Sequence, residues 1–177
     1  MEFEQALYSR YSVRSYTGEK PDKEALRAIL HAGQGAPIAC REFDHYIITV
    51  IEDPALLDEM EKVHNEEKNT PRAHPLFGAP VLILVSAKLP GTSIDSRYHY
   101  SAGCILENMT LQATALGLGS CLIGGVIRSM NKKPALVKKL GLPEGFVPLC
   151  SVIVGKTDLP FPVRDIPEDN MATEYIL

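Results

Sequence analysis

No two cysteines in this chain stand at C-x-x-C spacing; Cys40, Cys104, Cys121 and Cys150 are scattered along its 177 residues. Two of them, Cys121 and Cys150, lie inside apolar, strand-like runs. Thiols placed this way read as free and buried in a reducing cytoplasm, not as a disulfide framework. Metal-ligand spacing is missing as well from the five histidines, His31, His45, His64, His74 and His99. There is no basic excess: the formal net charge is −4. That argues against a general nucleic-acid binder but leaves room for an anion site built from a few arginines. No apolar run approaches the ~20 residues that span a bilayer. The opening Met1-Glu-Phe-Glu-Gln has neither the basic start nor the apolar stretch of a secretory signal. The expectation is a cytoplasmic protein without membrane, nucleic-acid or metal partners.

Several catalytic signatures are absent too. There is no G-x-x-x-x-G-K-S/T loop for phosphates. The cluster Gly117-Leu-Gly119-Ser-Cys-Leu-Ile-Gly124-Gly125 lacks the third glycine of G-x-G-x-x-G. It also follows a helix and precedes a strand, the reverse of the dinucleotide-binding order. Ser120 lacks the G-x-S-x-G frame of a nucleophile elbow, and no local signature of a Ser/His/Asp or Cys/His triad is visible.

What is present suits one domain over residues 1–177, with a 45% apolar composition able to supply a substantial core. Residues 2–9 read as a short helix with Phe3 and Leu7 on one face. Arg10 to Tyr16 is rich in β-formers and ends at the turn signal Thr17-Gly18. Pro21 and Asp22 open a helix with Ala25, Leu26, Ile29 and Leu30 in phase, ended by Gly33 and Gly35. His45 to Ile51 reads as a strand. Asp53-Pro54 is an N-cap with proline at the first helical position, and Leu56, Leu57, Met60 and Val63 share the next helix face. Residues 64–78 are polar and irregular, long for a simple connection, and are expected to form a lid or small excursion. Val81 to Val85 is apolar throughout, as in a strand covered on both faces. A strong helix follows over Ser101 to Leu116, with Gly117 as its terminating glycine. Ser120 to Ile123 and Leu149 to Val154 are further strands, and Pro134 opens a short helix that stops at Gly141. Residues 156–177 read as an extended arm. Strands alternating with helices indicate a layered α/β or α+β domain.

Two short patterns can carry chemistry. In an extended segment Arg10, Ser12 and Arg14 share a side. Two guanidinium forks and a hydroxyl then form either a phosphate cradle or an ordinary solvated edge. Gly124-Gly125 either lets a ligand ring approach the backbone or makes a plain turn. The run Ala36 to Phe43 walls a pocket or merely connects a helix to a strand. Arg164 alone is a surface arginine.

The order of these pieces resembles the nitroreductase family of FMN enzymes. Arg10, Ser12 and Arg14 match its opening R-x-S-x-R segment, and Ala36 to His45 stands at the place of its A-P-S-x-x-N-x-Q-P-W-like loop. Gly78 to Val85 is similar to its G-A-P-V-x-I-x-V strand, and Glu107 to Ala113 to its E-N-M-x-L-x-A helix. Gly117 to Gly125 and Leu140 to Phe146 match its G-L-G-S-x-x-I-G-G and L-G-L-P-E-G-F stretches, the most specific parts. Ile38, Arg41, Phe43 and His45 replace the usual polar and tryptophan residues of the loop, and Tyr11 replaces the commoner Arg or His.

The resemblance implies an α+β fold, a three-layer α/β/α sandwich, homodimeric with an extended C-terminal arm wrapped on the partner. It implies bound FMN and NAD(P)H as electron donor. Arg10, Tyr11 and Ser12 would meet the phosphate and ribityl chain, and Arg14 the N1/O2 edge of the flavin. A cation there stabilises the charge of reduced flavin. Ile123, Gly124 and Gly125 would face flavin N5, and Arg164 the phosphate. Pro37, Ile38, Ala39 and Arg41 would reach the flavin of the other subunit. No catalytic side chain is implied, since the flavin carries the chemistry. The implied reaction is a ping-pong relay to a small-molecule acceptor, a nitroaromatic, quinone or activated alkene, with Tyr98, His99 and Tyr100 either lining the acceptor side or simply packing. The competing expectations are a non-catalytic flavin-binding protein of the same fold and a small-ligand module without flavin.

Overall fold

The computed structural model describes residues 1–68, 74–89, 96–167 and 169–176. Among these residues four strands form a single sheet in the order β1-β2-β4-β3, every neighbouring pair antiparallel. They are β1 (Tyr46–Ile51), β2 (Val81–Lys88), β3 (Gly119–Ile123) and β4 (Phe146–Gly155). The helices are α1 (Phe3–Ser9), α2 (Lys23–Gln34), α3 (Pro54–Glu66), α4 (Ser96–Ala115), α5 (Gly125–Asn131) and α6 (Pro134–Lys138).

Alternation along the strands assigns the two sheet faces. Leu82, Leu84, Cys121, Ile123 and Ile153 pack on one side with Leu57 and Met60 of α3, Ile127 and Met130 of α5 and Leu136 of α6. Val81, Ile83, Val85, Val152 and Val154 pack on the other with Ile29 of α2 and Ile105, Met109 and Ala113 of α4. The result is the expected three-layer α/β/α sandwich. It explains why Val81 to Ala87 is buried without interruption: helices cover both faces of that strand.

Local chemistry sets the helix ends. Asp22 accepts from Ala25 N at 2.7 Å and Asp53 from Ala55 N at 3.0 Å, so each aspartate satisfies an N–H that the first helical turn leaves without a partner. Gly117, at φ +71°, closes α4: its N–H bonds to Thr114 O and Leu118 N–H bonds to Ala113 O. That paired pattern needs the left-handed conformation glycine adopts without strain.

Four expectations are corrected. Gly33 does not end α2; it lies inside the helix, buried where α2 meets α4, and a Cβ there would stand 2.3 Å from Met109 Cε. Phe3 does not face inward; it is 69% exposed, and Ala6 and Ser9 form the buried side of α1. The irregular stretch begins later than expected, because α3 continues to Glu66; residues 69–73 lie outside the described part. Gly124-Gly125 is no plain turn but the start of α5.

Candidate functional site

Residues 10–17 run beside the β3 edge of the sheet. Val13 N–H bonds to Ser120 O at 2.9 Å and Thr17 N–H to Lys156 O at 3.0 Å. Val13 is fully buried, while Ser12 is half-buried and Arg14 exposed, as an extended segment with one face on the fold requires.

Arg14 reaches a cleft of about 410 Å³ at the end of β3. The floor and walls come from Cys121 to Val126, with Pro75 and Phe77 opposite and His64 and Lys68 from α3 and its end. The Arg14 guanidinium carbon lies 6.0 Å from the centre of the Phe77 ring, at the outer limit of a cation–π contact. Phe77 has φ +57°, a left-handed conformation that bulky side chains rarely adopt. The backbone thus bears strain where it sets this ring against the cleft.

Two glycines keep the floor open. A Cβ on Gly125 would stand 3.1 Å from Cε1 of His64, and one on Gly124 would stand 3.3 Å from Nη1 of Arg128. His64 Nδ1 lies 3.0 Å from Ser129 Oγ on α5. Burial at the cleft wall, helped by the Lys68 charge, holds the His64 imidazole below its ordinary pKa; a bond to the Gly125 backbone partly opposes this. Arg14, Lys68 and His64 are the titratable nitrogen groups of the described lining, and no carboxylate is among its residues. Such a cleft attracts a planar, electron-accepting or anionic ligand.

Arg10 goes elsewhere. Its Nε stands 3.3 Å from Glu107 Oε1 on α4. Arg164 donates from both backbone N and Nε to Tyr8 O, each at 3.0 Å. Tyr11 Oη donates to Pro160 O at 2.9 Å and its ring meets Phe161 at 5.8 Å. Arg10, Tyr11 and Arg164 therefore gather where α1 ends, one stretch of chain away from Arg14. Of the residues singled out in the sequence, Arg14, Ile123, Gly124 and Gly125 share the cleft.

Pro37, Ile38, Ala39 and Arg41 lie at the β1 side of the sheet, outside the described lining of that cleft. Ala39 N–H bonds to Ser101 Oγ at 3.1 Å, and Arg97 Nη1 lies 3.7 Å from Cys40 Sγ. Cys40 and Arg41 both have positive φ, so this loop is tightly turned. Tyr98 is buried against His45 and Tyr46, away from the described cleft lining. His64, Lys68, Pro75 and Phe77 carry no motif in the sequence that marks them for the cleft. They come from the stretch expected to be a lid, and only the tertiary arrangement brings them to the glycines.

The nitroreductase family model matches residues 7–156, which run from the end of α1 to β4. The chain belongs to the nitroreductase family. A nitroreductase relative from Archaeoglobus fulgidus, provisionally named NADH dehydrogenase/NAD(P)H nitroreductase, is 30% identical over 154 residues, 84% of this chain and 82% of its own. An FMN-bound nitroreductase of Desulfitobacterium hafniense superposes with a TM-score of 0.81, covering 99% of this chain and 100% of that one; at 22% identity the match carries the fold. A nitroreductase-like protein of Desulfovibrio desulfuricans, solved with FMN, is 27% identical, with a TM-score of 0.74 and coverage of 100% and 98%. Among the described residues, no helix of this nitroreductase is long and apolar enough to cross a membrane.

Proposed function

We propose that this nitroreductase binds FMN and passes electrons from NAD(P)H to an organic acceptor, a nitroaromatic, quinone or activated alkene, in two successive half-reactions. The observation that carries the reading is the meeting of Arg14 with Gly124-Gly125 in one cleft of about 410 Å³. That volume falls in the range of small-molecule sites. The residues present fit the cofactor. Two glycines leave the floor open to a flat ring, and Arg14 supplies a cation for the edge that gains negative charge. Arg10 and Ser12 continue along the same segment towards Arg164, a basic stretch suited to a phosphate. FMN supplies the hydride chemistry when bound; the chain holds, orients and shields it.

The loop of Pro37, Ile38, Ala39 and Arg41 supports a dimer. It stands apart from its own cleft, next to the half-exposed Phe43 (54%), where a second copy would receive it.

The test is direct. The purified protein is expected to be yellow after FMN addition and to bleach when NADH or NADPH is added without air. A yellow protein that does not bleach favours the non-catalytic flavin-binding alternative. Joint replacement of Arg10 and Ser12 by alanine removes charge-assisted bonds worth about 1.5–3 kcal/mol each. FMN retention should then weaken roughly a hundredfold or more, read by fluorescence titration. Unchanged retention would refute the phosphate assignment.

A further inference from the structure

Behind His64 stands a chain of partners that binding and electron transfer leave unused. His64 Nδ1 lies 3.0 Å from Ser129 Oγ. Ser129 is 3% exposed, and its hydroxyl helps to favour the charged form of the Glu67 carboxylate. Glu67 also receives Lys132 Nζ at 2.9 Å. A serine hydroxyl owns one hydrogen. With its hydrogen turned toward Glu67, Ser129 Oγ is left to accept from His64, and Nδ1 then bears a proton. Delivery into the cleft then falls to Nε2. The ring is held on its other side by a bond to the Gly125 backbone. A histidine fixed in tautomer and orientation at the edge of a ligand cleft is built as a general acid.

The charges around the ring come from three elements. Glu67 and Lys68 face it from the end of α3, Arg128 from α5, and Arg14 shares the cleft from the extended segment. Burial outweighs the rest and makes the imidazolium a readier proton donor than a free one.

We propose that His64 protonates a quinone-type acceptor in the cleft, with Ser129 and Glu67 as its positioning residues. The proposal rests on the flavin reading above. Reducing a quinone to a hydroquinone takes two electrons and two protons. The hydride equivalent from NAD(P)H, relayed within the cleft, brings both electrons and one proton. The second proton leaves Nε2 of protonated His64 as an O–H bond forms on the quinone oxygen. Water then reprotonates the neutral imidazole.

The experiment compares two acceptors on FMN-loaded, NADH-reduced protein. Menadione needs protons; ferricyanide takes single electrons and needs none. In His64→Gln the ratio of menadione to ferricyanide rate should fall about 100-fold. The wild-type menadione rate should rise as pH falls through the His64 pKa, which lies below the ordinary 6.5, and this limb should vanish in the variant. A readout independent of turnover is the proton NMR titration of His64 Cε1–H in the protein without FMN. Ser129→Ala and Glu67→Gln should each move its midpoint. If His64→Gln does not fold, these two variants must shift the menadione pH limb in the same direction as the NMR midpoint. An unchanged ratio, or equal slowing of both acceptors, overturns the His64 role while flavin binding and bleaching stand. A protein that stays colourless with FMN overturns both, and the NMR titration identifies that case as a failure of the cofactor reading and not of the Ser129 chain.

Discussion

A single methyl group on Gly125 would test how tightly the cleft is drawn. Alanine there puts a Cβ 3.1 Å from His64 Cε1, so the ring must yield by a few tenths of an ångström. Alanine is also the better helix former by about 1 kcal/mol in a helix interior. Gly125→Ala is therefore expected to weaken FMN binding several-fold with little loss of Tm, as measured by fluorescence titration and thermal melting. The thiols differ in the same local way. Cys40 is exposed, Cys121 is buried, and burial pushes the Cys150 thiol up to about 11. Because the thiolate is the attacking form, an aromatic disulfide reagent at pH 8 should label Cys40 first. Cys121 and Cys150 should react only after denaturation, as mass spectrometry of the labelled peptides would show.

At the scale of elements, caps were legible and crossings were not. Asp53-Pro54 and Gly117 act within one turn of themselves, so their chemistry can be read in the sequence. Gly33 carries the same letter as a helix stop, but its reason for being glycine is a neighbour on another helix, Met109. The seven residues of α5 are too few to display a helical period behind two glycines. His64 and Phe77 reach the cleft through the packing of α3 and the turn before β2, a relation no short window contains. By contrast, Arg14 and Gly124-Gly125 are legible through the order of motifs along the whole chain. A second crossing offers a test of stability. A Cβ on Gly155 would stand 2.7 Å from the stiff ring of Pro80 and 3.1 Å from Tyr16. Overpacking of this kind costs about 1–3 kcal/mol. Gly155→Ala should therefore lower Tm by several degrees, at roughly 2–4 °C per kcal/mol for a chain of this size.

For the whole molecule, the tail is the clearest pointer to a second copy. Val163 is 60% exposed, Met171 80%, Tyr175 83% and Ile176 100%, a row of apolar side chains bare on one chain. Such a row marks an interaction surface. The FMN-loaded protein should sediment at twice the chain mass. Truncation before Met171, which keeps the Arg164–Tyr8 contact, should shift that equilibrium towards the single chain. A truncated protein as dimeric as the full one would refute the arm's part in assembly.

The segment that carries Arg14 is clasped by residues far downstream in the chain. Ser120 holds Val13, while Lys156 holds Thr17 and Thr157 donates to Ser15 O at 2.8 Å. Arg14 leaves the ribosome early, yet Ser120, Lys156 and Thr157, which seat its segment, emerge much later. At about 5–20 residues per second the wait is roughly 7–30 s, during which this stretch lacks its neighbours. The seat of Arg14 is consequently complete only once Thr157 has emerged.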